Sequence, residues 1–125
     1  MKVGDELPEV AIPITATLIV TGALASRDFQ DVHHDAEVAK ASGAKDIFAN
    51  ILTTQGLVGR YITDWTGPSA MIMKMSIRLG VPNYPHDTMT LTGSVTAVEG
   101  ERATITIRGA NSLGDHVSGT VEVTT

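Results

Sequence analysis

The sequence predicts an α+β domain in which one antiparallel sheet wraps around one long helix. Between Ile47 and Trp65, apolar residues recur at every third or fourth position, which is the period of a buried helix. From Met71 onward, apolar and polar residues alternate, which is the pattern of strands that bury one face. Helical and strand segments that stay separate along the chain are typical of an α+β fold.

The first segment, Val10 to Ala25, is rich in β-branched residues and is predicted to be the opening strand. Pro13 has no amide hydrogen to donate to a neighbouring strand, so we expect this strand at an edge or a bend. Farther on, Asp35 to Ala41 is predicted to be a short helix. It ends at Ser42-Gly43, because glycine tolerates the left-handed conformation of helix ends.

The central helix is predicted over Ile47 to Trp65, and the sequence Thr66-Gly67-Pro68 ends it. Gly56 and Gly59 lie inside this helix. Each weakens a helix by roughly 1 kcal/mol relative to alanine, so we expect another element to pack closely against them.

The remaining chain is predicted to form four antiparallel strands. Their inward residues are Met71, Met73, Met75, Ile77 and Leu79, then Met89, Leu91, Val95 and Ala97, then Ala103, Ile105 and Ile107, and finally Val117, Val121 and Val123. Residues 82–87 and 109–115 connect strands as loops, the second being a loop or a bulge, and Glu99-Gly100-Glu101 makes a hairpin. This order of elements is the hot-dog architecture, with one domain over residues 1–125. Such a sheet leaves edges uncovered, so pairing with another hot-dog unit is expected.

Composition excludes several classes of function. The net charge is −5, and nine Lys and Arg residues are spread along the chain, which argues against nucleic-acid binding. Cysteine is absent, so there is no disulfide, no thiolate zinc site and no thiol nucleophile. Neither a signal-peptide core nor a membrane-length apolar run is visible, so we expect a cytoplasmic protein that does not associate with membranes.

The loop from Ser26 to Asp35 is the candidate site. It places three carboxylates and two imidazoles within ten residues, next to apolar surface, where low dielectric and close charges shift pKa values. Asp35 is also suited to cap a helix, so an ordinary polar loop remains an alternative. We assign no role to His34 or His86, and we expect His116 on the surface of a strand.

A metal site is a further alternative for the same loop. Its ligands would be Asp31, His33, His34 and Asp35. Adjacent histidines diverge in most backbone conformations, and the spacing matches no known ligand motif, so we expect no metal.

Four residues of the loop stand at the spacing of a hydratase motif: Asp28, Val32, His33 and Asp35. Gln30 stands where that motif has Asn, and Asp31 where it has Pro. On these residues the chain resembles the MaoC-like (R)-specific enoyl-CoA hydratases over its whole length. Further runs resemble the small subunits of heteromeric steroid hydratases that act in cholesterol side-chain breakdown. These runs are Arg27–Asp35, Lys45–Phe48, Thr63–Trp65, Arg78–Pro82 and Leu113–Val117.

The resemblance implies an enzyme that adds water to an α,β-unsaturated acyl-CoA, with a shortened-side-chain steroid as the acyl group. Asp28 and His33 would activate the water jointly. The Ile51 N–H at the start of the central helix would hold the enolate oxygen, with Asn50 and Gln30 in the same oxyanion and substrate-binding region. It implies no cofactor besides the acyl-CoA substrate. The implied partner is a second MaoC-like chain without its own Asp and His, in a heterotetramer of two plus two.

Two other functions share this fold. A hot-dog acyl-CoA thioesterase typically carries a carboxylate on or facing the central helix, and residues 47–63 contain none. A non-catalytic half that only completes a partner's pocket would be free to lose Asp28 and His33, and both are present. The sequence therefore favours the hydratase.

Overall fold

The computed structural model describes residues 1–125 and contains five strands and three α-helices. The elements in chain order are β1 (Val10–Ile14), α1 (Ala16–Ala25), a 3₁₀ turn (Asp31–His33), α2 (Ala36–Ala41), α3 (Ile51–Thr66), β2 (Met71–Leu79), β3 (Asp87–Glu99), β4 (Arg102–Asn111) and β5 (Gly114–Thr124). The strands form one sheet in the order β1-β3-β4-β5-β2, and every neighbouring pair is antiparallel. The predicted single hot-dog domain is confirmed.

The core lies between helix α3 and the concave face of the sheet. Val58 and Ile62 of α3 are fully buried, as are Leu91, Ile105 and Val121 of the three central strands. The helix alternates these apolar residues with exposed polar ones, so only one of its faces is buried. This packing fixes the position of α3, and with it the position of the helix N-terminus relative to the polar residues around it.

The predicted opening strand is too long. Strand β1 ends at Ile14, and residues 16–25 form helix α1 instead. Thr15 starts this helix, because its hydroxyl oxygen accepts the Leu18 N–H as an N-cap. Ile19 and Ala23, one turn apart, bury the helix against the core, and this packing outweighs the β-branched composition. The expectation for Pro13 is confirmed, since β1 is an edge strand.

Helix α3 begins at Ile51, four residues later than predicted, and ends as predicted with Gly67 at a φ of 85°. The expected close packing against its glycines is absent. An added Cβ at Gly56 would meet no atom within 4 Å, and one at Gly59 would make only an ordinary contact with Met75. Close packing occurs at Gly22 of α1, where an added Cβ would collide with Thr53 of α3.

Strand β2 has a different inward face from the predicted one. Met71 and Met73 are 64% and 47% exposed, whereas Ile72 packs against the core. A bulge after Ile72, before Lys74, shifts the alternation by one residue, and the predicted face resumes at Met75. A second bulge, between Val95 and Ala97, leaves the Ala97 side chain exposed instead of inward.

The segment predicted as a loop or bulge at residues 109–115 is mostly strand. Strand β4 runs to Asn111 and β5 starts at Gly114, so only two residues turn the chain. The register shifts between Gly109 and Ala110, which places a bulge in this hairpin. None of the helices combines the length and the apolar content needed to cross a lipid bilayer.

Candidate active site

A cavity of about 340 Å³ opens beside the first turn of α3 and brings the candidate residues together. It is lined by Asp28, Gln30, His33, Phe48, Ala49, Asn50, Ile51, Leu79, Gly80, Val81, Pro82 and His116. A larger apolar cavity of about 440 Å³ lies between β1 and α3. Its charged residues, Arg60 and Asp64, are exposed and pair with each other, so it holds no buried acid–base pair. The smaller cavity is therefore the candidate active site.

His33 is buried at the end of the 3₁₀ turn with one ring nitrogen facing the cavity. Its Nδ1 lies 2.7 Å from the Phe48 carbonyl oxygen, which only accepts hydrogen bonds, so Nδ1 carries a proton. The Phe48 ring packs edge-on against the imidazole with the centroids 5.2 Å apart. In the neutral ring, Nε2 therefore has a free lone pair, and this atom lies 3.2 Å from Asp28 Oδ2.

Asp28 follows the end of α1, where the backbone turns sharply. Arg27 has a φ of 58°, and the Asp28 N–H donates to Ala23 O, so the chain leaves the helix with the carboxylate beside the cavity. Asp28 Oδ2 accepts from the Asn50 amide at 3.2 Å, and Oδ1 accepts the Gln30 N–H at 3.3 Å. These hydrogen bonds, that of Asn50 foremost, hold the pKa of Asp28 below its ordinary value.

Asn50 is the N-cap of α3 and is fully hydrogen-bonded. Its Oδ1 accepts from the Thr53 N–H at 2.9 Å and the Thr53 hydroxyl at 2.6 Å. Its two amide hydrogens go to Ser26 Oγ at 2.9 Å and to Asp28. Neither amide hydrogen is left for a substrate, so the side chain orients the Asp28 carboxylate while its backbone starts the helix.

Ile51 is the first residue of α3, and its N–H donates to no group of the protein. The first N–H groups of a helix have no partner within it, and the helix dipole favours negative charge at this end. Because Ile51 also lines the cavity, its N–H is available to a ligand oxygen there. Gln30 lines the cavity too, and its side chain makes no hydrogen bond within the chain.

The four residues considered as metal ligands do not converge. The Asp31 and His34 side chains pair at 3.5 Å on the exposed side of the loop, while His33 faces Asp28. Asp35 accepts the N–H groups of the first turn of α2 as its N-cap. No group of three or more such side chains comes together elsewhere in the chain.

The expectation for His116 is wrong, because this side chain is buried in the floor of the cavity. Gly109 pairs with Val117 and Ala110 with Asp115, so His116 is the extra residue of the bulge and points inward beside Val117. Ser26 and the Phe48 carbonyl are further partners of the site that the sequence did not indicate. Ser26 belongs to the polar loop, but its role depends on α1, which was not predicted.

Comparisons with known proteins identify the family of the chain. The profile of the MaoC-like domain matches residues 2–117. The beta subunit of 3-oxo-4,17-pregnadiene-20-carboxyl-CoA hydratase from Mycobacterium tuberculosis is 57% identical over 121 residues, which cover 97% of this chain and 94% of that subunit.

Solved structures show the same similarity. One chain of the crystal structure of the ChsH1–ChsH2 complex from Mycobacterium tuberculosis is 55% identical with a TM-score of 0.98, covering 100% of this chain and 98% of that one. The (R)-hydratase of A. caviae involved in PHA biosynthesis is 22% identical and shares the fold, with a TM-score of 0.87 over 99% of this chain and 96% of its own. The chain belongs to the family of MaoC-like domains.

Proposed function

We propose that this chain is an enoyl-CoA hydratase subunit that adds water to an α,β-unsaturated acyl-CoA. The observation that carries the proposal is the 3.2 Å separation of His33 Nε2 and Asp28 Oδ2 beside a free helix N-terminus. Hydration needs a group that takes a proton from water, a group that returns one to the α-carbon, and a donor for the enolate oxygen. We assign the first two roles to the Asp28–His33 pair and the third to the Ile51 N–H.

The Asp28–His33 pair acts as one acid–base unit. With Nδ1 protonated toward Phe48, both Nε2 and Oδ2 present lone pairs to the same point. A water molecule there donates one hydrogen to each, which raises the electron density on its oxygen. Because the two groups are this close, one added proton belongs to the pair rather than to either residue.

The reaction adds one water and consumes nothing else. The water oxygen bonds to the β-carbon of the conjugated thioester while one of its protons passes to the Asp28–His33 pair. The electron pair of the double bond moves toward the thioester, so negative charge develops on the carbonyl oxygen, and the Ile51 N–H donates to this oxygen. The pair then gives its proton to the α-carbon as the thioester carbonyl re-forms. The product is a β-hydroxyacyl-CoA.

The proposed acyl group is a steroid with a shortened side chain. Support comes from the relative at 57% identity, whose name gives 3-oxo-4,17-pregnadiene-20-carboxyl-CoA as its substrate. The cavity has apolar walls at Leu79, Val81, Pro82 and Ile51, which suit an apolar acyl group.

The proposed partner is a second MaoC-like chain in a two-plus-two heteromer. The similar ChsH1–ChsH2 structure is a complex of two different chains. Strand β2 also supports this proposal, because it is an edge strand with exposed Met71 and Met73. The cavity lies at the Leu79 end of this edge, so a chain that covers β2 would border the active site.

The test is hydration of a panel of enoyl-CoA thioesters, followed by loss of the absorbance of the conjugated thioester. The chain is assayed alone and mixed with a MaoC-like partner that lacks the Asp–His pair. We expect activity with the partner on a polycyclic thioester. Activity of the chain alone on short linear substrates would contradict the steroid and heteromer assignments. Release of free CoA thiol would indicate a thioesterase, and no reaction in either form would indicate a non-catalytic half.

A further inference from the structure

His116 makes hydrogen bonds to two walls of the cavity, and neither wall carries the Asp28–His33 pair. Its Nδ1 lies 2.6 Å from the Val81 carbonyl oxygen, in the connection that follows β2. Its Nε2 lies 2.8 Å from the hydroxyl of Thr54, in the first turn of α3. Both His116 and Thr54 are buried, so the contact between these two side chains is shielded from solvent.

The proton positions in this link follow from its partners. The Val81 carbonyl oxygen only accepts, so His116 Nδ1 donates, Nε2 accepts, and the Thr54 hydroxyl is the donor. Burial lowers the pKa of His116, which favours the neutral ring and therefore this direction of the hydrogen bonds. A threonine inside a helix often donates its hydroxyl to the carbonyl four residues back, which bends the helix. Here the Thr54 hydroxyl instead donates to His116 Nε2, away from the helix backbone.

The connection after β2 also bonds to β5 and its hairpin, and at Asn83 to the segment before α3, where the Ala49 N–H donates to Asn83 O at 3.1 Å. The Gly80 N–H donates to the His116 carbonyl oxygen at 2.7 Å, and the Val81 N–H donates to Asp115 O at 2.9 Å. Asn111 donates to Pro82 O. The Ala49–Asn83 bond ends before the helix, whereas the imidazole of His116 connects the Val81 carbonyl to Thr54, inside the helix turn that begins with Ile51.

We propose that His116 and Thr54 are positioning residues that hold the N-terminus of α3 at a fixed distance from the wall formed by Gly80–Pro82. The inference rests on the proposed hydratase function, because the group it positions is the Ile51 N–H. Neither residue touches the reacting atoms. Their hydrogen bond fixes the first turn of α3 and with it the direction of the Ile51 N–H into the cavity.

The test is a pair of substitutions at Thr54. Thr54→Val has nearly the same shape but no hydroxyl, so the link is lost, whereas Thr54→Ser keeps the hydroxyl. A small displacement of a positioned group lowers the rate of chemistry, so we expect Thr54→Val to lower kcat about tenfold or more with KM within about threefold. Thr54→Ser should keep kcat within about threefold of wild type, because its hydroxyl still reaches Nε2.

A second readout does not depend on activity. The ¹⁵N shifts of the His116 ring should show a hydrogen-bonded Nε2 acceptor in the wild type and in Thr54→Ser, and a free one in Thr54→Val. The Ile51 amide resonance should shift in Thr54→Val only. Equal kcat in the two variants, or an unmoved Ile51 amide, would overturn the proposal. Full activity of Asp28→Asn would overturn the hydratase mechanism instead, so the two failures are distinguishable.

Discussion

Replacing Ile51 by proline should remove the proposed oxyanion donor while leaving helix α3 intact. Proline is favoured at the first position of a helix, because its missing N–H has no partner there and its φ suits the helix. Asn50, the preceding residue, is extended with a φ of −82° and a ψ of 166°, which is the conformation that proline requires before it. The Ile51 side chain is 46% exposed, so little packing is lost.

The expected loss of activity follows from the single hydrogen bond removed. Deleting one oxyanion donor costs roughly 100- to 1,000-fold in kcat, or about 2.7–4 kcal/mol. The matched control is Ile51→Ala, which removes the side chain but keeps the N–H and should retain most of the activity. Both variants should melt within about 5 °C of wild type, equivalent to about 1 kcal/mol for a domain of this size. The assay is the saturation kinetics of thioester hydration, with circular dichroism to follow melting. Equal kcat for Ile51→Pro and Ile51→Ala would refute the assignment of this N–H.

Two further substitutions test how the site is held. Asn50→Ser keeps a cap for α3 but loses the donor to Asp28. The pKa of Asp28 should then rise, because the Asn50 amide no longer stabilises its carboxylate, and the Asp28–His33 pair should hold its proton more tightly. The acid limb of the pH profile of kcat/KM should therefore move to higher pH. An acid limb that does not move would contradict the role of the Asn50 amide. Gly22→Ala should destabilise the fold by roughly 1–3 kcal/mol, because the new methyl group collides with Thr53. The control is Gly56→Ala, which should stabilise the fold by about 0.5–1 kcal/mol because its new methyl group meets no other atom. Denaturant unfolding measures both free energies. A Gly22→Ala variant more stable than Gly56→Ala would contradict the close packing of Gly22 against Thr53.

Most of the fold was predictable because hydrophobic period is a strong signal over long segments. The period of α3 and the alternation of β3 to β5 each extend over ten or more residues. Helix α1 was missed because its apolar, β-branched run has no polar face to reveal a helical period. Its one signal was Thr15, whose capping hydroxyl marks the start of the helix.

The bulges limited what alternation could predict. A single extra residue reverses the faces of a strand, so Met71 and Met73 point outward and His116 points inward. No residue type at these positions marks the extra residue. The same limit hid the His116–Thr54 contact, which joins residues 62 positions apart.

The part of the candidate site formed by residues close together in the sequence was predictable. The part formed by residues far apart in the sequence was not. Asp28 and His33 lie in one short loop, and resemblance to a family singled them out. The partners that orient them come from Phe48 and Asn50, and these contacts arise only when the loop packs on the start of α3. The hydrophobic period placed Asn50 inside the helix, whereas the family resemblance placed Ile51 at its start, and the amide contact of Asn50 to Asp28 could not be read from spacing.

The most direct test of the proposed mechanism compares Asp28→Asn and His33→Asn in the same hydration assay. Asparagine at position 33 keeps a donor for the Phe48 carbonyl oxygen but has no ring nitrogen to share a proton with Asp28. The control is His34→Asn, since that exposed imidazole lies outside the cavity. We expect a loss of roughly 100- to 10,000-fold in kcat for each of the first two variants, and little change for the control. A folded Asp28→Asn or His33→Asn variant that hydrates the thioester at the wild-type rate would contradict it.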